Sequence, residues 1–488
     1  MSEAESLAGT AFSTAARLGA DRTVVQLVRT TVEDTVVDAA VDADSAPGHE
    51  RSDRFEIAVR VHRDGAVGVA GGPLLGRSGV VDLAERAVEL ARASAPGRPG
   101  IPARHPAPAE PEERSYRGPV AVDPFALSPG ERAEPLREAR ARALAVPGCT
   151  HAVARASAYR RDSRLLSSDG GRLRLELTQA GGWVSAGADG PSGPATRSYP
   201  ERTGRHDQGG WEHVLALDLP GGAERAAREA VLLSRAKPCP SGTGPVVIDS
   251  SQLTLQIHES IGHPLELDRI LGWELDYAGG SFVGLPDVGH LAYASDQVTV
   301  VADPVSGRGV GSMPWDDEGT PTAVTPLIDR GRLVGLLSSA TSTAAAGLPP
   351  APGSARTEGA GLSLVRMTNI NLQPGSGSLE DLLSDLGDGL FLRGNQSFSI
   401  DDDRDRFHFS CELAWRVRGG RLVEPLRAPR YHGRTLDFWR SCRRVAGPEE
   451  WAMHSVTFCM KGNPIQTARV GHGAAPALFS EVSYGSWE

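Results

Sequence analysis

The sequence predicts an α+β protein made of two domains, and three observations support this. The chain has 488 residues, which exceeds the roughly 100–200 residues of a typical domain. Helical and strand patterns are segregated along the chain rather than strictly alternating, as expected for helices packed beside antiparallel sheets. The segment 238–244 is rich in proline and glycine and is typical of a boundary. We therefore expect domains at residues 1–237 and 238–488.

The first domain combines helical and strand patterns. Apolar residues at helical spacing predict helices over residues 5–20, 79–95, 129–146 and 221–237. Alternating apolar residues predict strands over residues 23–28, 52–61, 65–71, 150–159, 161–168 and 172–178. Asp169-Gly170-Gly171 predicts a tight hairpin turn between the last two of these strands. Prolines recur between residues 96 and 111 and predict a linker.

The second domain is predicted to be mostly short strands joined by Gly and Pro turns. It opens with a strand over 245–249, followed by a helical segment that carries two histidines. One further amphipathic helix is predicted over 378–388.

Composition and charge narrow the function classes. A net charge of −10 disfavours direct nucleic-acid binding, which usually needs a basic surface. No apolar run reaches the ~18 residues of a membrane helix, and the acidic start Met1-Ser2-Glu3 lacks the features of a signal peptide. We therefore expect a cytoplasmic protein without membrane contact. The five cysteines include no CxxC pair, so neither a disulfide framework nor a zinc ribbon is indicated.

The strongest chemical signal is the pair His258 and His263, with Glu259 directly after the first histidine. Zinc peptidases of the HExxH type place two histidines four positions apart on one helix face. Five positions on an ideal α-helix would turn the side chains roughly 140° apart. A π-bulge, with i→i+5 bonding, would bring them back to one side. Gly262 and Pro264 favour such a distortion.

A metal held by this pair would need further protein ligands, because a catalytic zinc commonly has three. Glu259 occupies the position of the general base in zinc peptidases, which takes a proton from water and returns it to the leaving amine. Spacing alone leaves the third ligand open among Glu266, Asp268, the acidic cluster at 316–318 and Cys459.

Several ordered stretches resemble the TldD/PmbA family, also called modulators of DNA gyrase. They are the HExxxH segment with its trailing Leu-Glu-x-Asp at 258–268, the Asp-Asp-Glu-Gly turn at 316–319 with the hairpin at 327–331, the Arg-Met-x-Asn strand at 366–370, and the segments 459–464 and 470–473. The resemblance is strongest between about 245 and 475 and diffuse before it. Met460 stands where the family usually has glycine.

The resemblance implies the identity of the site. His258, His263 and Cys459 match the zinc ligands of the family, with one Zn²⁺ per active chain, and Glu259 matches its catalytic glutamate. The family also contains a metal-free branch, but this chain keeps the His-Glu-His set and so resembles the catalytic branch. The implied fold has an N-terminal α/β domain and a C-terminal, mostly antiparallel β domain that carries the metal-binding helix.

The resemblance also implies partners. Members form homodimers, or heterodimers with a metal-free paralogue, around a narrow cavity that suits short or unfolded peptides. The function predicted is therefore a zinc metallopeptidase. Two alternatives remain: an amide or C–N bond hydrolase acting on a modified peptide or small molecule in biosynthesis, and a non-catalytic regulatory or binding partner.

Other residues carry weaker expectations. Glu266 and Asp268 are candidates for partners that orient a zinc-bound histidine. Arg366 is a candidate for holding a substrate carboxylate or oxyanion, or for a structural salt bridge to an acid such as Asp317. His472 is a candidate for stabilising the reaction intermediate, although a plain loop histidine is favoured. Residues 316–318 are expected to form a solvated turn.

Overall fold

The computed structural model describes residues 3–38, 47–94 and 113–486. Over these residues the fold is α+β, as predicted. The predicted linker at 96–111 lies outside the described residues. None of the helices in the described ranges has both the length and the apolar character needed to cross a membrane.

The N-terminal half is built on a large, mainly antiparallel sheet with the order β3-β2-β1-β5-β6-β4. Its strands are β1 (Arg22–Val37), β2 (Gly48–Arg63), β3 (Ala66–Pro73), β4 (Glu113–Arg117), β5 (His151–Ser167), β6 (Arg172–Gly190), β7 (Gly193–Tyr199) and β8 (Arg205–Gln208). The prediction of two strands between 150 and 168 was wrong, because β5 is one continuous strand paired along its length with β6. The predicted turn at 169–171 joins β5 to β6.

Helices cover this sheet: α1 (Glu3–Arg17), α2 (Gly76–Ala93), α3 (Pro129–Leu144), α4 (Glu212–Ala216) and α5 (Leu219–Leu233). Helix α3 begins where Ser128 and Glu131 form a capping box, with proline at the first helical position. Small alanine-rich faces let α1 and α2 pack on β1 and β2, and α3 and α5 on β5 and β6.

The C-terminal half contains the remaining elements. Its strands are β9 (Lys237–Pro238), β10 (Gly242–Ile248), β11 (Val300–Ala302), β12 (Thr325–Asp329), β13 (Arg332–Leu333), β14 (Ala355–Arg356), β15 (Leu364–Val365), β16 (Ile370–Leu372), β17 (Gly389–Ile400), β18 (Arg406–Arg418), β19 (Arg421–Arg427), β20 (Arg430–Arg434), β21 (Cys442–Val445), β22 (Ala452–Lys461), β23 (Gln466–Ala474) and β24 (Ala477–Gly485). Its helices are α6 (Ser250–Ile257), α7 (Leu267–Ile270), α8 (Ala340–Ala345), α9 (Leu379–Leu386) and α10 (Thr435–Arg440).

The main C-terminal sheet has the order β17-β10-β24-β20-β18 and closes on itself, because β17 also pairs with β18. Most of its pairs are antiparallel, although β10 runs parallel to β17. Helix α6 follows β10 directly and lies in the largest hydrophobic core of the described residues, which also includes the β22–β23 hairpin. This core brings the histidine segment against the last hairpin of the chain.

The two halves are joined by a buried carboxylate. Asp317 accepts hydrogen bonds from Gln26 Nε2 at 3.0 Å, from Arg161 Nη2 at 2.9 Å and from the Thr357 backbone N–H at 2.8 Å. Asp316 is buried as well. The expectation of a solvated turn was therefore wrong for both aspartates, because paired charges and backbone donors replace water here. The domain boundary between residues 237 and 238 stays a prediction. Strand β9 spans this position and pairs with β19.

Candidate metal centre

The histidine segment is a helix that changes its winding. Helix α6 ends at Ile257, residues His258–Gly262 form a π-helix, and His263–Leu265 form a 3₁₀ turn. The backbone N–H of His263 donates to the carbonyl of His258, which is an i→i+5 bond. The predicted π-bulge is therefore confirmed. A Cβ at Gly262 would overlap the buried side chain of Met367, so glycine here lets that methionine pack closely against the widened turn.

This winding brings two imidazoles and a thiol together. Nitrogen atoms of His258 and His263 and the sulfur of Cys459 all lie within 4.8 Å of one another, and all three residues are buried. His263 Nε2 lies 3.5 Å from Cys459 Sγ. Among the His, Cys, Asp and Glu side chains of the described residues, these three are close enough together to hold a metal ion.

Cys459 reaches the histidines from strand β22. The pairing of β22 with β23 shifts register between Val456 and Cys459. A β-bulge of this kind redirects the side chains that follow it and is frequent beside functional sites. The exposed neighbours Phe458 and Met460 point away while Cys459 is buried, so the bulge sets which side chain enters the site.

Each imidazole is oriented through its Nδ1 atom. His258 Nδ1 lies 2.8 Å from Nε2 of His472, and His263 Nδ1 lies 2.9 Å from Oε2 of Glu266. A carboxylate can only accept, so His263 carries its proton on Nδ1. Nε2 is therefore the nitrogen left for a metal on each ring, and an engaged Nδ1 is usual for metal-binding histidines.

The electrostatics favour the metal-binding protonation states. Burial lowers the pKa of His258 to about 4, and it lowers the pKa of His263 and His472 well below the usual value. Burial alone would raise the pKa of the Cys459 thiol, but the charge of Arg366 and the contact with His263 outweigh it, and the pKa is lowered overall. Neutral imidazoles and a thiolate are the forms that bind zinc.

A buried, charge-balanced cluster lies behind His263. Lys461 Nζ contacts Glu266 Oε2 at 3.1 Å and Asp268 Oδ1 at 2.7 Å, and Arg269 Nε lies 3.5 Å from Glu266 Oε2. All four side chains are almost completely buried. Glu266 thus contacts a candidate ligand as predicted, whereas Asp268 contacts Lys461 and the backbone N–H of Val365.

Glu259 is also buried, and its carboxylate is held by an arginine. Arg404 Nη1 donates to Glu259 Oε2 at 2.7 Å, and Arg404 Nη2 donates to the carbonyl of Ala278 at 3.0 Å. Arg404 lies in the turn between β17 and β18, in the left-handed backbone region at φ 66°. The sequence prediction missed Arg404, because no local pattern links an Asp-Asp-Arg turn to a glutamate 145 positions earlier.

Arg366 does not pair with Asp317, and its predicted contact with a substrate carboxylate or oxyanion stays a prediction. Its guanidinium donates to the backbone carbonyls of Cys459 and Gln466, while Asp317 pairs with Arg161. The predicted salt bridge to Asp317 is therefore wrong. Arg366 instead fixes the β22–β23 hairpin and places a positive charge near the thiol.

Residues 241–485 match the family described as PmbA/TldA metallopeptidase C-terminal domain. The chain belongs to the PmbA/TldD family. The resemblance inferred from the motifs is confirmed, and at the level of the family the chain is grouped with metallopeptidases.

Curated members of the family are distant in sequence. A metalloprotease of Methanothermobacter thermautotrophicus is 29% identical over 66% of this chain and 67% of that protein. One of Methanocaldococcus jannaschii is 32% identical over 51% of this chain and 52% of that protein. A zinc metalloprotease TldD homolog of Saccharolobus solfataricus is 25% identical over 51% and 52%. The chain thus spans about half to two thirds of the length of these relatives.

Solved structures of family members share the whole fold. A protein described as a modulator of DNA gyrase from Thermotoga maritima has a TM-score of 0.75 at 17% identity and covers 98% of this chain and 99% of its own. TldE from Thermococcus kodakarensis has a TM-score of 0.75 at 16% identity with the same coverage. At such low sequence identity, the similarity to these two structures shows a shared fold and nothing about function.

Proposed function

We propose that this chain is a zinc metallopeptidase that hydrolyses peptide bonds in short or unfolded peptides. The observation that carries the proposal is the convergence of His258, His263 and Cys459 within 4.8 Å; the buried Glu259 is the residue next to His258 in the chain. The name of the Saccharolobus relative, a zinc metalloprotease, agrees with it.

The donor set fits zinc. Two imidazole nitrogens and one thiolate are a common zinc ligand set, and three protein ligands leave a coordination position open for catalysis. Zinc bound there would supply a Lewis acid that polarises a carbonyl oxygen and makes water more acidic. His472 and Glu266 would hold the two imidazoles in their binding orientation.

Glu259 is the proposed general base. Because Arg404 holds Oε2, we assign the proton transfer to Oε1, which would take a proton from water and return it to the leaving amine. A positioned general base contributes about 10²–10⁴-fold to the rate. Arg404 would act as a positioning residue, since its contact is with Glu259.

The two chemical roles can be tested separately. Glu259→Gln keeps an acceptor for Arg404, so we expect unchanged zinc content and a loss of peptide hydrolysis of about 10²–10⁴-fold. His263→Ala and Cys459→Ala should lose both zinc and hydrolysis, measured by elemental analysis and by cleavage of an unstructured peptide library. Normal cleavage by Glu259→Gln, or full zinc content in both ligand variants, would contradict the proposal.

We propose that the chain functions as a homodimer or as a heterodimer with a metal-free paralogue, in line with the likeness of its fold to TldE. Sedimentation of the purified chain, alone and with such a paralogue, tests this: a monomer in both cases would contradict it.

A further inference from the structure

A cavity of about 170 Å³ lies between the two halves of the chain. Strands β1 and β5 contribute Thr30 and Tyr159 to one wall, and the β22–β23 hairpin contributes Thr457 and Arg469 to the other. Thr457 precedes the candidate ligand Cys459 by two positions, but the cavity is lined by none of the metal-site residues. It is therefore a separate feature of the molecule.

The wall of this cavity is rich in arginine, and some of these arginines are paired. Arg161 forms a buried ion pair with Asp317 at 2.9 Å. Arg54 faces Glu358 at 3.6 Å, and both of these side chains are partly exposed. These contacts neutralise two of the four positive charges that line the cavity.

Arg356 and Arg469 are not neutralised in this way. Within the part of the chain that the structure describes, neither forms an ion pair with a carboxylate, and Arg356 Nη1 and Arg469 Nη2 are enclosed without a hydrogen-bond partner. Arg469 is nevertheless held in place, because its Nε donates to Gln179 Oε1 at 2.5 Å and its guanidinium lies 4.9 Å from the ring centre of Tyr159. The cavity thus carries an excess of two positive charges.

The two unpaired guanidinium groups repel each other. Burial lowers the pKa of Arg356 to about 10; attraction to Asp317 opposes this shift and repulsion from Arg161 adds to it. Burial also lowers the pKa of Arg469 to about 10; attraction to Tyr159 and Asp34 opposes this shift and repulsion from Arg356 adds to it. As whole residues both arginines are partly exposed, but each has one guanidinium nitrogen that is enclosed without a hydrogen-bond partner, and an enclosed polar group without a partner is costly. An anion between the two guanidinium groups would remove this cost.

The size of the cavity limits what this anion can be. Sites for drug-sized ligands usually measure about 300–1,000 Å³, whereas 170 Å³ holds about five or six water molecules at ~30 Å³ each. A cavity of this size can take one carboxylate or phosphate group with its immediate neighbours. Thr457 and Thr467 line the same space, and their hydroxyl groups can complete the hydrogen bonds of such a group.

We propose that the cavity lined by Arg356 and Arg469 is an oxyanion-binding site that takes a terminal carboxylate or phosphate group of a ligand. Planar guanidinium groups suit both, because they donate two parallel hydrogen bonds to such oxygens. The site does not depend on peptide hydrolysis and would exist in a catalytically inactive protein.

Calorimetric titration of the full-length protein tests the proposal. The probes are inorganic phosphate, the dipeptide N-acetyl-alanyl-alanine and the C-terminal amide of that dipeptide. We expect phosphate or the free acid to bind and the amide not to bind. Arg356→Gln and Arg469→Gln should each weaken binding at least ~tenfold, since a hydrogen bond to a charged group contributes that much or more. Arg174→Gln, which removes an exposed arginine, is the matched control and should bind as the wild type does.

The outcomes decide both the site and its ligand. Binding of the free acid identifies a peptide carboxylate as the ligand group, and binding of phosphate alone identifies a phosphate group. The proposal is overturned if neither probe binds the wild-type protein at concentrations up to about 10 mM, which would detect dissociation constants in the millimolar range. It is equally overturned if both cavity variants bind like Arg174→Gln. The wild-type result stands even where a cavity variant fails to fold.

Discussion

Replacing Glu266 with glutamine should weaken zinc binding more than replacing Asp268 with asparagine. Both acids belong to the same buried cluster around Lys461, and each variant removes one negative charge from it. Only Glu266, however, contacts the Nδ1 atom of His263, at 2.9 Å. The difference between the two variants therefore isolates the orientation of the imidazole from the loss of charge.

The size of the difference follows from that contact. Loss of a residue that supports a metal-binding histidine typically costs about 10–100-fold in metal affinity, or about 1.4–2.7 kcal/mol. Glutamine still offers an amide oxygen to His263, but a neutral acceptor makes a bond roughly half as strong as a charged one. We therefore expect Glu266→Gln to bind zinc about tenfold more weakly than Asp268→Asn.

Zinc affinity is measured by competition with a chromophoric chelator at fixed pH, with both variants first compared by thermal unfolding. Both should lose similar stability, because each leaves the buried cluster of two cations with a single carboxylate, a loss of up to about 3–5 kcal/mol. Equal zinc affinities in two folded variants would refute the reasoning, since they would show that charge alone determines the effect.

Three further changes test other parts of the structure. Arg404→Gln should lower kcat about ten- to a hundredfold at unchanged zinc content, because Glu259 loses a charged donor with a contribution of about 1.5–3 kcal/mol; an unchanged kcat would contradict this. Gly262→Ala should cost about 1–3 kcal/mol of stability by overpacking, since the added Cβ would overlap the sulfur of Met367. Gly361→Ala is the control and should leave stability unchanged, because no atom lies within 4 Å of the added Cβ. Equal melting temperatures of the two variants would contradict the packing argument. Burial holds the pKa of His206 well below 6.5, so the unfolded chain binds a proton first and stability should fall as pH drops below about 6.5. His206→Asn should flatten that fall by up to about 1.4 kcal/mol per pH unit, measured by urea unfolding between pH 7 and 5, and an unaltered slope would show that His206 is already protonated in the folded state.

The histidine segment is the part of the site that its own sequence predicts best. A widened turn was predicted from the five-residue spacing of the histidines together with Gly262 and Pro264, because such a turn brings both imidazoles to one side. The structure contains that turn. Cys459 is different: spacing left it among several acids, and only the resemblance to a family selected it. A ligand 196 positions from His263 leaves no local periodicity to follow.

Burial of charged side chains was the least predictable feature. Asp316 and Asp317 have the composition of a surface turn, yet donors from distant strands surround them. Arg404 and Lys461 likewise acquire their roles from partners far away in the chain. Turn composition reports local backbone preference, whereas pairing between remote charges depends on tertiary packing that a short window of sequence does not contain.

The distance along the chain between His263 and Cys459 gives a bound ion a mechanical role. An ion held by both would cross-link the chain into a loop of about 200 residues, and cross-links over loops of ~100 residues or more restrict the unfolded chain by several kcal/mol in the chain-entropy description. The ion would then link the β22–β23 hairpin to the histidine segment in the middle of the chain, and removal of the ion by a chelator would break this link. Resistance of the C-terminal strands to proteolysis would accordingly rise and fall with metal supply.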